Sequence, residues 1–207
     1  MSPTYIDRAT LLRALRGARA LRDRVVLLHV GECALSTSAG IASVAEALTL
    51  LRVADARPVV LLDADAPTGA ARRLEAAIAG NGERGVTLAA STAVTVHRVD
   101  AAGVTTFIPV VEATLLGQLA ALRYVPIVAL PVLDVEGVAS EVPAGEVAGA
   151  AATFLDAAAI VCVDTTHAPT PDDGTRRVVR ASSAAADALL ADILLGHPPA
   201  TVTEVTS

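Results

Sequence analysis

Four apolar runs of strand length recur along the chain: Arg24–Val30 (RVVLLHV), Pro58–Leu62, Val125–Leu130 and Ala159–Val163 (AIVCV). Each is continuously apolar rather than alternating, the pattern of a strand covered on both faces. Between them lie helical patterns of about 12–16 residues, long enough for the crossover that joins parallel neighbours. Ala9–Leu21 carries Leu11, Leu12, Leu15, Ala18 and Leu21 as one stripe with arginines opposite, and Ala39–Ala54 does the same with Ile41, Val44, Ala45, Leu48 and Leu51. The expected fold is therefore α/β, a three-layer α/β/α sandwich with a mainly parallel sheet.

The remaining segments fill in that plan. Gly31–Ser38 reads as a loop of small and polar residues, and Thr68 as the cap of a helix running to about Ala79 and stopping at Gly80-Asn81-Gly82. Val86–Ala90, Val94–Val99 and Val104–Val110 read as short strands, the last two joined by a hairpin turn at Asp100-Ala101-Ala102-Gly103. Glu112–Arg123 is a helix, Asp134-Val135-Glu136-Gly137 a turn, and Pro143 opens a helix to Asp156. A loop over Thr165–Gly174, a short strand at Arg176–Arg180 and a serine-capped helix at Ser182–Leu195 complete a single domain over 1–195, with 196–207 as a flexible tail.

Composition narrows the chemistry. All 16 basic residues are arginine, so lysine Schiff-base chemistry, a lysine general base and an ammonium-charged phosphate loop are excluded. No Gly-x-Gly-x-x-Gly or Walker-type motif occurs. A net charge of −6, spread along the chain, argues against a nucleic-acid surface. No apolar stretch is long enough for a membrane span, and MSPTYIDRAT has no basic segment followed by an apolar one. With two cysteines, Cys33 and Cys162, a disulfide framework is not expected, and the cytoplasm is the expected location.

In parallel sheets ligands bind beyond the carboxyl ends of the strands. That rule collects His29, Gly31, Glu32 and Cys33 from the first strand, Asp63 and Asp65 from the second, Asp134 and Glu136 near the fifth, and Asp164, Thr165, Thr166 and His167 from the last. Carboxylates and imidazoles gather there in a chain otherwise rich in alanine and valine. The alternative is that such residues cap helices or stay in water. His29, Asp63, Asp164 and His167 have the donor types for zinc or manganese, without the close spacing that fixes a metal site. Cys33, in a loop entering a helix, is a candidate for a reactive thiol or an inert one. Cys162 belongs to the core, and His97 and His197 to the solvated surface. The Arg72-Arg73 and Arg176-Arg177 pairs are either anion contacts or exposed charges.

Several stretches in order carry a resemblance: LLRALRGARALRDRVVLLHVGECAL, RPVVLLDADAP, LLGQLAALRYVPIVALPVLDVEG and EVPAGEVAGAAATFLDAAAIVCVDTTHAP. Over residues 9–169 the chain resembles the amino acid kinase family, in the manner of N-acetylglutamate kinase. It departs from that pattern where phosphate would be held. His29 stands where the family has its first catalytic lysine, and the glycine pair is Gly31-Glu32. The second glycine loop is Ala64-Asp65-Ala66 after Asp63, where alanine crowds the backbone approach and aspartate repels polyphosphate. The later asparagine appears as Pro143, with Gly145-Glu146 near the family's aspartate, and Asp164 keeps its place. The arginine motif expected after Ala79 and most of the nucleotide-binding half are missing.

The resemblance implies a reduced kinase fold, the N-terminal half plus a remnant. It also implies a pseudokinase that has lost phosphoryl transfer and acts in small-molecule binding, regulation or assembly, with ATP and magnesium not expected as cofactors. Helices 9–21 and 39–54 would then contribute to a homo-oligomer, or to a hetero-oligomer with a related protein. On this reading His29, Asp63 and Asp164 are the candidate catalytic residues. Gly31, Glu32, Cys33, Asp65, Glu146, Thr165 and His167 would bind ligand. The alternatives are an enzyme of replaced chemistry, with His29 as base and Asp63 or Asp164 orienting it or holding a metal, acting on a small acylated amino acid, and a residual amino acid kinase.

Overall fold

The computed structural model describes residues 8–101, 104–130, 142–165 and 177–181. In chain order the elements are α1 (Arg8–Leu21), β1 (Val25–Val30), α2 (Glu32–Ser36), α3 (Ser38–Val53), β2 (Arg57–Leu62), α4 (Ala70–Gly80) and β3 (Arg84–Ala89). There follow α5 (Ala90–Ala93), β4 (Val94–Ala101), β5 (Val104–Val111), α6 (Ala113–Ala121), β6 (Tyr124–Ala129), α7 (Ala144–Phe154), β7 (Ala159–Val163) and β8 (Arg177–Ala181). Six strands form one sheet in the order β3-β6-β2-β1-β7-β8, every neighbouring pair parallel. The expected α/β architecture with a mainly parallel sheet is therefore present, and the 94–110 segment is the antiparallel ribbon β4–β5.

Alternation along each strand sends side chains to two separate cores. Val26, Leu28 and Val30 of β1, with Val60 and Leu62 of β2, pack beneath Ile41, Val44, Leu48 and Leu51 of α3 and Leu74 and Ile78 of α4. Leu27, Leu61, Ile160 and Cys162 face the other way, onto Leu116 of α6, Val147, Ala148 and Ala151 of α7 and Val94 and Val96 of the ribbon. Both faces of the sheet are thereby covered, which explains why its central strands lack alternation in sequence.

Local details depart from the sequence reading. The segment expected as a loop after β1 contains the short helix α2, and Thr37 within it caps α3 by accepting the Gly40 N–H at 3.0 Å. Thr68 does not cap α4: Gly69 precedes that helix at φ +77, with no side-chain cap bond. The hairpin tip at 102–103, the turn at 134–137, the helix expected at 182–195 and the tail lie outside the described residues.

The turns from helix to strand share one device. Two residues after α1, α3, α6 and α7 end, the backbone turns left-handed at Asp23, Asp55, Arg123 and Asp156, with φ of 58°, 58°, 68° and 47°. Glycine usually fills such a position; aspartate tolerates it because its short side chain bonds locally. Here these residues also join ion pairs along the amino edge of the sheet: Arg22–Asp55 at 3.7 Å, Arg24–Asp156 at 3.8 Å, Arg57–Asp23 at 3.0 Å and Arg123–Asp55 at 3.7 Å.

Candidate functional site

At the opposite edge, three strands end side by side. Val30 of β1 is in register with Leu62 of β2 and Val163 of β7, so the next residues, Asp63, Gly31 and Asp164, lie in one row. The row is tied by Gly31 N–H donating to the Val163 carbonyl at 2.8 Å and Asp63 N–H donating to the Val30 carbonyl at 2.9 Å. Gly31 is required here by close approach: a Cβ at this position would collide with the Asp164 backbone carbonyl. Asp164 reaches that place through a left-handed backbone, φ +48.

One step below the row, on the α7 side of the sheet, His29 sits between Leu61 and Cys162. Its side chain is completely buried, and neither ring nitrogen has a hydrogen-bond partner. Burial pushes the imidazole below its ordinary pKa, while the nearby Asp63 carboxylate pulls it back up. Asp63 is half-buried, and its Oδ1 accepts the Ala64 N–H at 2.8 Å.

The other candidates are less closely placed. Glu32 and Cys33 are exposed on the five-residue helix α2, Asp65 is exposed in the loop after β2, and Thr165 is half-buried beyond Asp164. Glu146 is exposed in the first turn of α7. His167, Asp134, Glu136 and Thr166 lie outside the described residues, while Cys162 is buried in the core and His97 exposed on the ribbon, both as expected. Among the described residues no group of three or more histidine, cysteine or acidic side chains is arranged to hold a metal. No helix among them is long and apolar enough to cross a membrane.

Sequence reading collected the acids of the carboxyl edge but missed the arginine ion pairs of the opposite one. Arg22, Arg24, Arg52, Arg57 and Arg123 gather at the amino edge among Asp23, Asp55, Glu83 and Asp156. The carboxyl edge carries Glu32, Asp63, Asp65 and Asp164, with Arg72 and Arg73 entering from the first turn of α4. Arg73 is exposed and donates to the Leu35 carbonyl at 3.2 Å. The signal was present in the sequence: Asp or Arg at the turns that follow α1, α3, α6 and α7, and acid after each of β1, β2 and β7.

No protein-family model and no curated protein matches the chain. Solved structures do. N-acetylglutamate synthase from Neisseria gonorrhoeae with coenzyme A and N-acetyl-glutamate matches with TM-score 0.67 and 14% identity, over 92% of this chain and 61% of that one. The same enzyme with coenzyme A and L-arginine matches with TM-score 0.58 and 11% identity, over 81% and 50%. The Streptococcus mutans protein Smu.665 matches with TM-score 0.53 and 14% identity, over 68% and 72%. The chain thus spans only half to three-fifths of the synthase chains it matches.

These matches overturn the kinase reading. The structural neighbours are N-acetylglutamate synthase and Smu.665, not an amino acid kinase, so the assignments to that family and to a pseudokinase are withdrawn. The physical reason is that the resemblance rested on apolar strands and helix stripes, which a parallel sheet covered on both faces demands whatever its chemistry. The lysine and glycine-loop residues that would have distinguished a kinase are absent. At 11–14% identity, what these neighbours share with the chain is the fold.

Proposed function

We propose that this chain is an amino-acid-binding domain that seats a cationic amino acid of the arginine type at the carboxyl edge of its sheet. The observation that carries the reading is the charge division. The edge at which parallel sheets take ligands is acidic, while most of the described arginines of the strand ends are held in ion pairs at the far edge. A guanidinium or ammonium group meets favourable potential beside Asp63 and Asp65, whereas the phosphates of coenzyme A and the carboxylates of N-acetylglutamate meet repulsion. One of the synthase structures that share the fold contains L-arginine, which agrees with this chemistry.

Calorimetry with L-arginine, N-acetyl-L-glutamate and coenzyme A tests it. Arginine should give saturable heat, and Asp63→Asn with Asp65→Asn should weaken it by at least about tenfold, since a hydrogen bond to a charged group contributes about 1.5–3 kcal/mol. Saturable heat with coenzyme A and none with arginine would overturn the reading. That result would favour instead the acyl transfer suggested by the coenzyme A in both synthase structures.

A further inference from the structure

The buried imidazole beneath the carboxyl edge is a separate feature. His29 stands on the central strand, with Leu61 and Cys162 beside it and the apolar Val147, Ala148 and Ala151 of α7 in the core it faces. Among the described residues the titratable and charged groups on the surrounding elements are few; β8, beyond β7, carries Arg180 in register with Cys162. β2 supplies Asp63, two residues beyond Leu61 on the same face, and β7 supplies Cys162 and Asp164. On α7, α6 and the ribbon, Glu146, Glu112, His97 and Arg98 are all exposed.

We propose that His29 is an acid-operated switch, a proton on its imidazole loosening the carboxyl ends of β1, β2 and β7. A neutral ring tolerates this apolar place; a charged ring without partner does not. The compensation within reach is Asp63, or water beyond it, and both lie toward the strand ends. Movement in that direction is opposed by Gly31, which is packed against the Asp164 carbonyl. A ring that turns toward Asp63 enters the row tied by the bonds from Gly31 to Val163 and from Asp63 to Val30, and these are the bonds that loosen on this proposal.

The sign follows from linkage. The folded-state pKa of His29 lies below the unfolded value of 6.5, so the unfolded chain binds the proton more readily. Stability is complete above about pH 6.5 and falls as the pH drops below it, by at most about tenfold in the folding constant per pH unit. Below about pH 5 the carboxylates add their own effect, so the diagnostic window lies between.

Hydrogen exchange of the wild type and His29→Leu, at about pH 7.5 and about pH 5.3 and corrected for intrinsic rates, tests the switch. In the wild type, protection of residues 28–33 and 61–65 should fall several-fold on acidification, and in His29→Leu it should not. His97 is common to both proteins and cancels. Equal loss in both proteins, or none in the wild type, would overturn the proposal. Should His29→Leu fail to fold, NMR titration of the wild type decides: a His29 ring midpoint below 6.5 with loss of Gly31 and Asp63 amide protection over the same pH range supports the switch, and a midpoint at or above 6.5, or titration of the ring with that protection intact, refutes it.

Discussion

Arg52 offers the sharpest test of how the amino edge is held together. Its side chain is only 3% exposed; NH1 donates to the Ala56 carbonyl at 3.2 Å, and Nε lies 3.6 Å from the Glu83 carboxylate. Nε and NH2 are buried without a hydrogen bond. Burial pushes the guanidinium below its ordinary pKa, neighbouring Arg123 pushes the same way, and Glu83 and Asp55 oppose both. At 3.6 Å, with an effective dielectric of about 20, the Arg52–Glu83 attraction is about 4–5 kcal/mol. Glu83 is 22% exposed, and part of that attraction is offset by the water it gives up, so Glu83→Gln should cost about 2–3 kcal/mol. Urea unfolding followed by circular dichroism measures the loss. In an Arg52→Met background no buried cation remains to be stranded, so the same substitution should cost less than about 0.5 kcal/mol, and Arg52→Met alone should be close to neutral. A Glu83→Gln protein within about 0.5 kcal/mol of wild type, or an equal loss in both backgrounds, would refute the electrostatic account.

Two further substitutions probe the strand ends and the first crossover. Gly31→Ala drives a methyl group into the Asp164 carbonyl, a backbone obstacle that cannot rotate away; overpacking of this kind costs about 1–3 kcal/mol, so the melting temperature should fall by several degrees. An unchanged melt would mean that β1 and β7 can separate at their ends without penalty. Thr37→Ala removes the bond to Gly40 N–H and should cost about 1 kcal/mol by chemical denaturation, while Thr37→Ser should retain most of it.

The parts of the molecule legible in the sequence were those governed by burial alone. β1, β2, β6 and β7 are apolar throughout because helices lie on both sides of them, and their places in the chain could be read within a residue or two. Details that depend on a single hydrogen bond or dihedral were not. Thr68 and Thr37 are equally good caps by composition, and only the path of the backbone selects Thr37. Gly31 reads as half of a glycine pair, but its reason is the Asp164 carbonyl, which arrives from a strand more than a hundred residues away in the chain.

The same distinction explains why the resemblance misled. The hydrophobic code of a parallel sheet is set by the two cores, and chains with different chemistry satisfy it equally. Function depends on what stands one residue beyond each strand, where the core makes no demand. Here Asp63, Gly31 and Asp164 occupy that row above His29, a polar ring whose nitrogens find no partner among the apolar groups around it. A sheet selected for stability alone would place leucine or valine at position 29, as at Leu27 and Leu61 on the same face. A neutral imidazole is tolerated there and a charged one is not, so position 29 exchanges stability in acid for a polar ring directly beneath the row of Asp63, Gly31 and Asp164.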